Sequence, residues 1–321
     1  MVRRFYANLQ VNLAGGFVLF FFSERLFWTV FKPADRIVDL VITWLAYSVL
    51  ACVFLNILKR CRASELPRVA LSGGVFGWLA EGALVGTLYG TESSAPFPLS
   101  IVQTALSWHM LLTVVVGWHF LTRAIRQGAL IKTALISVGV GLFWAAWAPF
   151  QWRETPPVIV PVWTFVVHAV VTGALLSIAC GILSGSAWDR YKPGWLGLGL
   201  SALILAVFYS EQIKRLGVRP VIVLPLLSGG VLALLCWTKE KSESPDDCAR
   251  NSERWKCAAT TLVIPLIASL GYVLQRFTGV SGIPPAWIFN GLAFVGGAFF
   301  LIACGMVIRK RTSPARAFTA P

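Results

Sequence analysis

Apolar runs of about twenty residues recur along the whole chain, at roughly 9–31, 37–58, 68–90, 98–121, 131–150, 158–184, 193–210, 219–237, 257–275 and 285–308. A bilayer's hydrocarbon core is about 30 Å thick and an α-helix rises about 1.5 Å per residue, so each run is long enough to cross. Alternating ten-residue segments, the mark of an outer-membrane strand, do not occur in the sequence, which argues against a β-barrel. Only 13% of the residues are charged, about half the usual share of a soluble domain, too few to clothe a water-exposed globule. The expected fold is therefore an all-α integral membrane protein. It has ten transmembrane helices in five helical hairpins, and residues 1–321 form a single polytopic transmembrane domain. The opening MVRRF and the run behind it look like a signal peptide, but no small-x-small cleavage site follows. We read the run as a retained first helix.

Charge placement sets the orientation. With the N-terminus inside, 20 Lys and Arg fall in cytoplasmic segments and 7 in the opposite loops; Arg25, within a span, completes the 28. This bias predicts a cytoplasmic-type membrane, plasma or inner, with both termini cytoplasmic. It also accounts for the net charge of +14 without nucleic acid, for which no motif is present. The expected partners are membrane lipids and a small-molecule or lipid-like ligand. No CxxC or His/Cys spacing points to a metal, and the residues leave any cofactor unspecified.

The hairpins hint at internal repeats. FFFSER (20–25) resembles VFYSEQ (207–212), and Glu24, Glu211 and Gln275 each stand nine residues before a proline: Pro33, Pro220 and Pro284. Trp147 stands the same distance before Pro156. LSGGV also occurs twice, at 71–75 and 227–231, five spans apart and so inverted in the membrane. An inverted five-plus-five arrangement is one way transporters are built.

Glu81 falls near the middle of the third span, in GWLAEGALVGTLYG. A carboxylate there costs about 2.5–3.5 kcal/mol on insertion scales, so it should face the bundle interior and find a partner or hold its proton. One reading is a proton- or cation-handling site; the other is a neutral, hydrogen-bonded structural carboxyl. Gly82, Gly86 and Gly90 follow at intervals of four, a pattern that lets a second helix approach closely. His109 and His168 lie deep in spans four and six. Either could join Glu81 in a proton relay or simply bridge helices. His119 is ten residues after His109, about 280° around an ideal helix, so the two do not share a face.

Glu24 and Arg25 admit two readings. Both sit at the outer interface, Arg25 extending to the headgroups, or the helix runs straight on to Phe31 and Glu24 lies about 10 Å inside its end. Glu24, Arg25, Glu211, Arg276, Trp147 and Trp152 together form a candidate extracytoplasmic polar cluster, although an aromatic belt also explains the tryptophans. Lys214, Arg215 and Arg219 run against the positive-inside trend in a loop read as SEQIKRLGVRP.

Three functions fit this pattern. The first is a membrane transporter of a small molecule or lipid-like substrate, proton- or ion-coupled through Glu81 with His109 and His168. The second is a membrane enzyme acting on a lipid-linked substrate at the extracytoplasmic face. The third is a non-catalytic assembly subunit.

Overall fold

The computed structural model describes residues 2–29, 36–91, 95–153, 157–238, 250–279 and 284–312. Every described element is helical. Among the described residues, nine helices are long and apolar enough to cross a membrane: α1 (Phe5–Trp28), α2 (Ile37–Arg60), α4 (Ser100–Arg126), α5 (Leu130–Trp152), α6 (Val162–Ser184), α7 (Trp195–Leu216), α8 (Val218–Trp237), α9 (Asn251–Thr278) and α10 (Ala286–Lys310). Between α2 and α4 stands α3, an α-helix over Leu66–Leu79 that continues as a π-helical turn over Ala80–Leu84.

The segment that fails the hydropathy test is the one carrying Glu81, and packing explains why. Almost every α3 residue from Arg68 to Trp78 is buried. A helix enclosed by protein has no lipid-facing side to keep apolar, so Gly, Ser and Glu are tolerated there. Its start is fixed by Pro67 in the first turn, where a missing N–H costs nothing. The buried Arg68 guanidinium then ties three helices together. It donates to the Thr238 and Leu235 carbonyls at the end of α8 (2.7 and 2.9 Å) and to the Cys61 carbonyl after α2 (2.6 Å). These carbonyls lack helical partners, and a cation suits a helix C-terminus.

α3 packs most extensively on α4, α1 on α2, and α9 on α5. The α3–α4 approach is very close, because a Cβ at Gly77 would run into the Ala105 carbonyl and one at Gly73 would come within 2.9 Å of Val114. This corrects the expected glycine face. The third helix ends at Leu84, where Val85 turns extended (φ −128°, ψ 168°). A short 3-10 turn over Thr87–Tyr89 follows, and Gly90 adopts a positive φ of 80°. Gly82, Gly86 and Gly90 therefore share no helical face. The nearest groups to a Cβ at Gly82 belong to Leu88 and Tyr89 of the returning chain, and Tyr89 donates its hydroxyl to the Gly82 carbonyl at 2.8 Å.

The simple succession of hairpins is also corrected. α9 packs against both α5 and α6, which meet chiefly through it, and α10 lies on α3 and α4 instead of on α9. α7 runs on to Leu216, so the expected outer loop SEQIKRLGVRP is helix on both sides of Gly217 (φ +68°). Its basic residues have local work: Lys214 pairs with Glu211 at 2.6 Å, and Arg219 donates to the Tyr89 carbonyl at 2.8 Å. Of the proposed repeat markers, Pro33 and Pro156 lie outside the described residues. Glu24 and Glu211, the matched acids, occupy unlike places: Glu24 lines an interior cavity, whereas the Glu211 side chain is 58% exposed.

Candidate functional site

Three helices that line one cavity each leave α-helical winding for part of their length. α1 is π-helical over Phe21–Arg25, α3 over Ala80–Leu84 and α4 over Ala105–Thr122. Hydrogen bonds from i+5 replace those from i+4: Leu26 N–H to Phe21 O, Val85 N–H to Ala80 O, His109 N–H to Thr104 O. Such turns widen a helix locally and recur at functional sites. Here they carry Ser23 and Glu24, Glu81, and His109.

These side chains meet. Glu81 Oε1 lies 2.6 Å from His109 Nε2. On the other side of the ring, His109 Nδ1 lies 2.9 Å from Ser23 Oγ, which is 3.0 Å from Thr113 Oγ1. Thr87 donates its hydroxyl to the remaining Glu81 oxygen. Glu81, His109 and Ser23 are 7%, 3% and 4% exposed. Phe76 stands edge-on to the imidazole, with ring centroids 5.8 Å apart. The Glu–His pair offers two hydrogen-bond patterns that differ by one added proton. With one proton, on nitrogen, Nε2–H donates to the carboxylate and Nδ1 accepts from Ser23; with a second, the carboxyl O–H donates to Nε2 and Nδ1–H donates to Ser23. Either form satisfies every polar atom in the chain, which the low-dielectric surroundings require.

A second carboxylate lies next to the first group. Glu24 accepts from the Tyr47 hydroxyl at 2.7 Å and from the Trp28 indole N–H at 2.9 Å. The Tyr47 ring also lies beside His109, 6.4 Å between centroids, so α2 contributes to both groups. A cavity of about 830 Å³ opens between the helix ends remote from the N-terminus. Glu24, Glu81, His109 and Ser23 line it, with Gln103 and Asn290 as further polar groups and Trp108, Trp147 and Phe150 as aromatic wall.

The predicted site residues thus divide. Glu81 and His109 are brought together, and Glu24 and Trp147 join them on the cavity. His168 is not with them: fully buried, it lies against Trp144 (6.1 Å) between α5 and α6. Arg25 is buried with its guanidinium 5.1 Å from the Phe20 ring centroid, and it does not snorkel to an interface. Its helix ends at Trp28, with Thr29 at a positive φ of 62°, and Phe31, where the straight-helix reading placed the end, lies outside the described residues. Arg276 lies over Trp152 (5.4 Å), whose N–H donates to the Tyr272 hydroxyl at 3.3 Å; this is a separate cluster between α5 and α9. Glu211 stands apart, as described above. The expected outer cluster is therefore scattered, because residues matched by spacing from a proline sit on helices whose rotations differ.

Sequence reasoning missed Ser23, Tyr47, Thr87 and Thr113. Ser23 lies inside the same FFFSER that exposes Glu24, and a lone Tyr in LAYSVL is a weak flag. Neither carries a periodicity, since contacts between helices leave none.

Comparison with protein-family models, with curated proteins and with solved structures finds no match to this chain. The fold and the site stand on their own geometry.

Proposed function

We propose that this chain is a ten-span protein of a plasma or inner membrane, α3 included, with both termini cytoplasmic. In this reading it moves a small molecule or lipid-like substrate coupled to protons. One observation carries it: the continuous chain Thr87–Glu81–His109–Ser23–Thr113, buried yet bordering a large polar-and-aromatic cavity. A proton entering from the cavity neutralises the pair's net charge of one unit. Loss of that proton leaves a charged carboxylate that is costly in a dry surround. Substrate occupancy and protonation are then linked through the same few side chains, the minimum a coupled carrier needs. The positive-inside bias puts the cavity mouth on the extracytoplasmic side.

The test is flux in reconstituted vesicles under an imposed pH gradient, screened with small organic solutes. Wild-type protein should couple solute entry to proton movement. Glu81→Gln and His109→Asn should abolish coupling while remaining folded by size-exclusion profile. Wild-type coupling in Glu81→Gln would remove the proposal.

One contact favours an enzymatic second reading. His109 bridges a hydroxyl and a carboxylate, the arrangement that activates a serine nucleophile. Ser23 Oγ would pass its proton to His109 Nδ1 while attacking an acyl carbonyl, Glu81 would hold the imidazolium, and the imidazolium would return that proton to the leaving group as its bond to the acyl carbon breaks. Covalent labelling of Ser23 by a fluorophosphonate, lost in Ser23→Ala and His109→Asn, would favour this reading. Full coupled flux in Ser23→Ala would count against it.

A further inference from the structure

We infer that the cavity recognises an ammonium group, held by Glu24 against the aromatic wall; this rests on the reading above that the cavity is the substrate site.

The charge balance of the cavity points there. Among the described residues Glu24 and Glu81 line it and no Lys or Arg does, although the chain as a whole carries +14. Glu81 already has a basic partner in His109. Glu24 has none: its contacts are the neutral Tyr47 hydroxyl and Trp28 indole N–H, and among the described residues no Lys or Arg pairs with it. Two neutral donors leave two of its four acceptor positions open. An acceptor-rich carboxyl group in a protein-walled cavity suits a cationic donor. An anionic ligand would find no lining Lys or Arg among the described residues.

The wall supplies the second half of the recognition. Trp147 stacks on Phe150 with 4.8 Å between centroids, and Phe27 meets Trp108 at 4.7 Å and Trp147 at 5.6 Å. The indole N–H groups of Trp108 and Trp147 are already committed, to the Phe22 and Phe27 carbonyls at 2.8 and 2.7 Å. Both indoles are themselves buried, so the π surface open to a ligand is that of the half-buried Phe27 and Phe150 packed on them, and it brings no hydrogen-bond donor. Aromatic faces beside a carboxylate suit alkylated ammonium, which gains from the ring quadrupole and loses little hydration. A bare metal ion would instead want several oxygens. The occupant's ammonium belongs either to a free amine or to the choline or ethanolamine head of a phospholipid.

Equilibrium binding tests this with no gradient, so it stands or falls independently of flux. Choline chloride titrated into the purified full chain in detergent should quench tryptophan fluorescence saturably. The neutral isostere 3,3-dimethylbutanol should bind at least about tenfold more weakly, since one tenfold step corresponds to about 1.4 kcal/mol. Glu24→Gln should lose about tenfold or more in choline affinity, and Phe150→Leu, which keeps the carboxylate, a smaller factor. Nanodiscs separate the two sources. If a phosphatidylcholine bilayer blocks choline binding and a phosphatidylglycerol bilayer does not, the ligand is a lipid head; if neither blocks it, the ligand is a free amine. Equal affinity for choline and its isostere, or undiminished choline binding in both variants, would overturn the inference. So would a folded wild-type protein that binds no choline and is indifferent to lipid class.

Discussion

Leu71–Val75 and Leu227–Val231 are the same five residues, LSGGV, on α3 and α8, in opposite surroundings. On α3, Leu71, Ser72 and Val75 are essentially inaccessible, and Gly73 and Gly74 lie against Val114 and Phe300. On α8, Gly229 and Gly230 are exposed, and a Cβ on either would meet nothing within 4 Å. The same pair of glycines lies in a helix contact in one place and on outer surface in the other, while Ser228 and Val231 of the second copy are buried. The two regions differ throughout. α1 and α4, which carry the site together with α3, are 61% and 67% buried over their apolar windows with a mean hydropathy of 1.4. α8 and α10 pack on α3 along one side only and are 22% buried, with values of 2.1 and 2.3. Helices walled by protein can carry the polar groups; helices facing lipid need apolar surface.

This contrast can be broken in graded steps. The largest effect should come from His109→Ala, which strands the Glu81 carboxyl inside the bundle; a buried pair broken on one side costs about 3–5 kcal/mol. It should appear as a large fall in detergent melting temperature, partly restored by Glu81→Gln in the same chain. A melting temperature unchanged in the single variant would mean that the α3 interior is wetter than its burial implies. Gly77→Leu comes next. It drives a side chain into the Ala105 carbonyl, and overpacking of this kind costs about 1–3 kcal/mol, occasionally more. Monodisperse yield should drop sharply, and normal yield would show that α3 and α4 can separate. Lys214→Gln removes one member of an exposed pair, worth less than about 1 kcal/mol, and should shift melting only slightly. Gly229→Leu should be the mildest, within about 0.5 kcal/mol, since nothing stands in the way. A loss as large as that of Gly77→Leu would reveal a contact on α8 and erase the distinction between the two LSGGV segments.

Much of the fold was legible in the residues. Apolar run length located the helices, with ends off by about six residues at Leu84, Leu216 and Asn251, and Glu81 stood out because a carboxyl in such a run must be accommodated. The exceptions share one cause. The Gly82, Gly86, Gly90 stripe assumed that a helix continues, but the chain turns at Val85. The angle between His109 and His119 assumed 3.6 residues per turn, and α4 is π-helical between them. Glu24 was matched to Glu211 by its distance from a proline, a measure blind to which side of the helix is walled by protein.

What the amino-acid sequence determined alone is the set of membrane-length helices and the charge bias of their connections. Both follow from the free energy of each segment in lipid, a property of the segment itself. Tertiary structure decided which helices are enclosed, where the winding loosens, and which acid meets His109 and which is left facing the cavity. Those outcomes depend on contacts between segments far apart in the chain, such as Ser23 with His109 and Glu24 with Tyr47. No period or motif within one segment encodes the rotation of another.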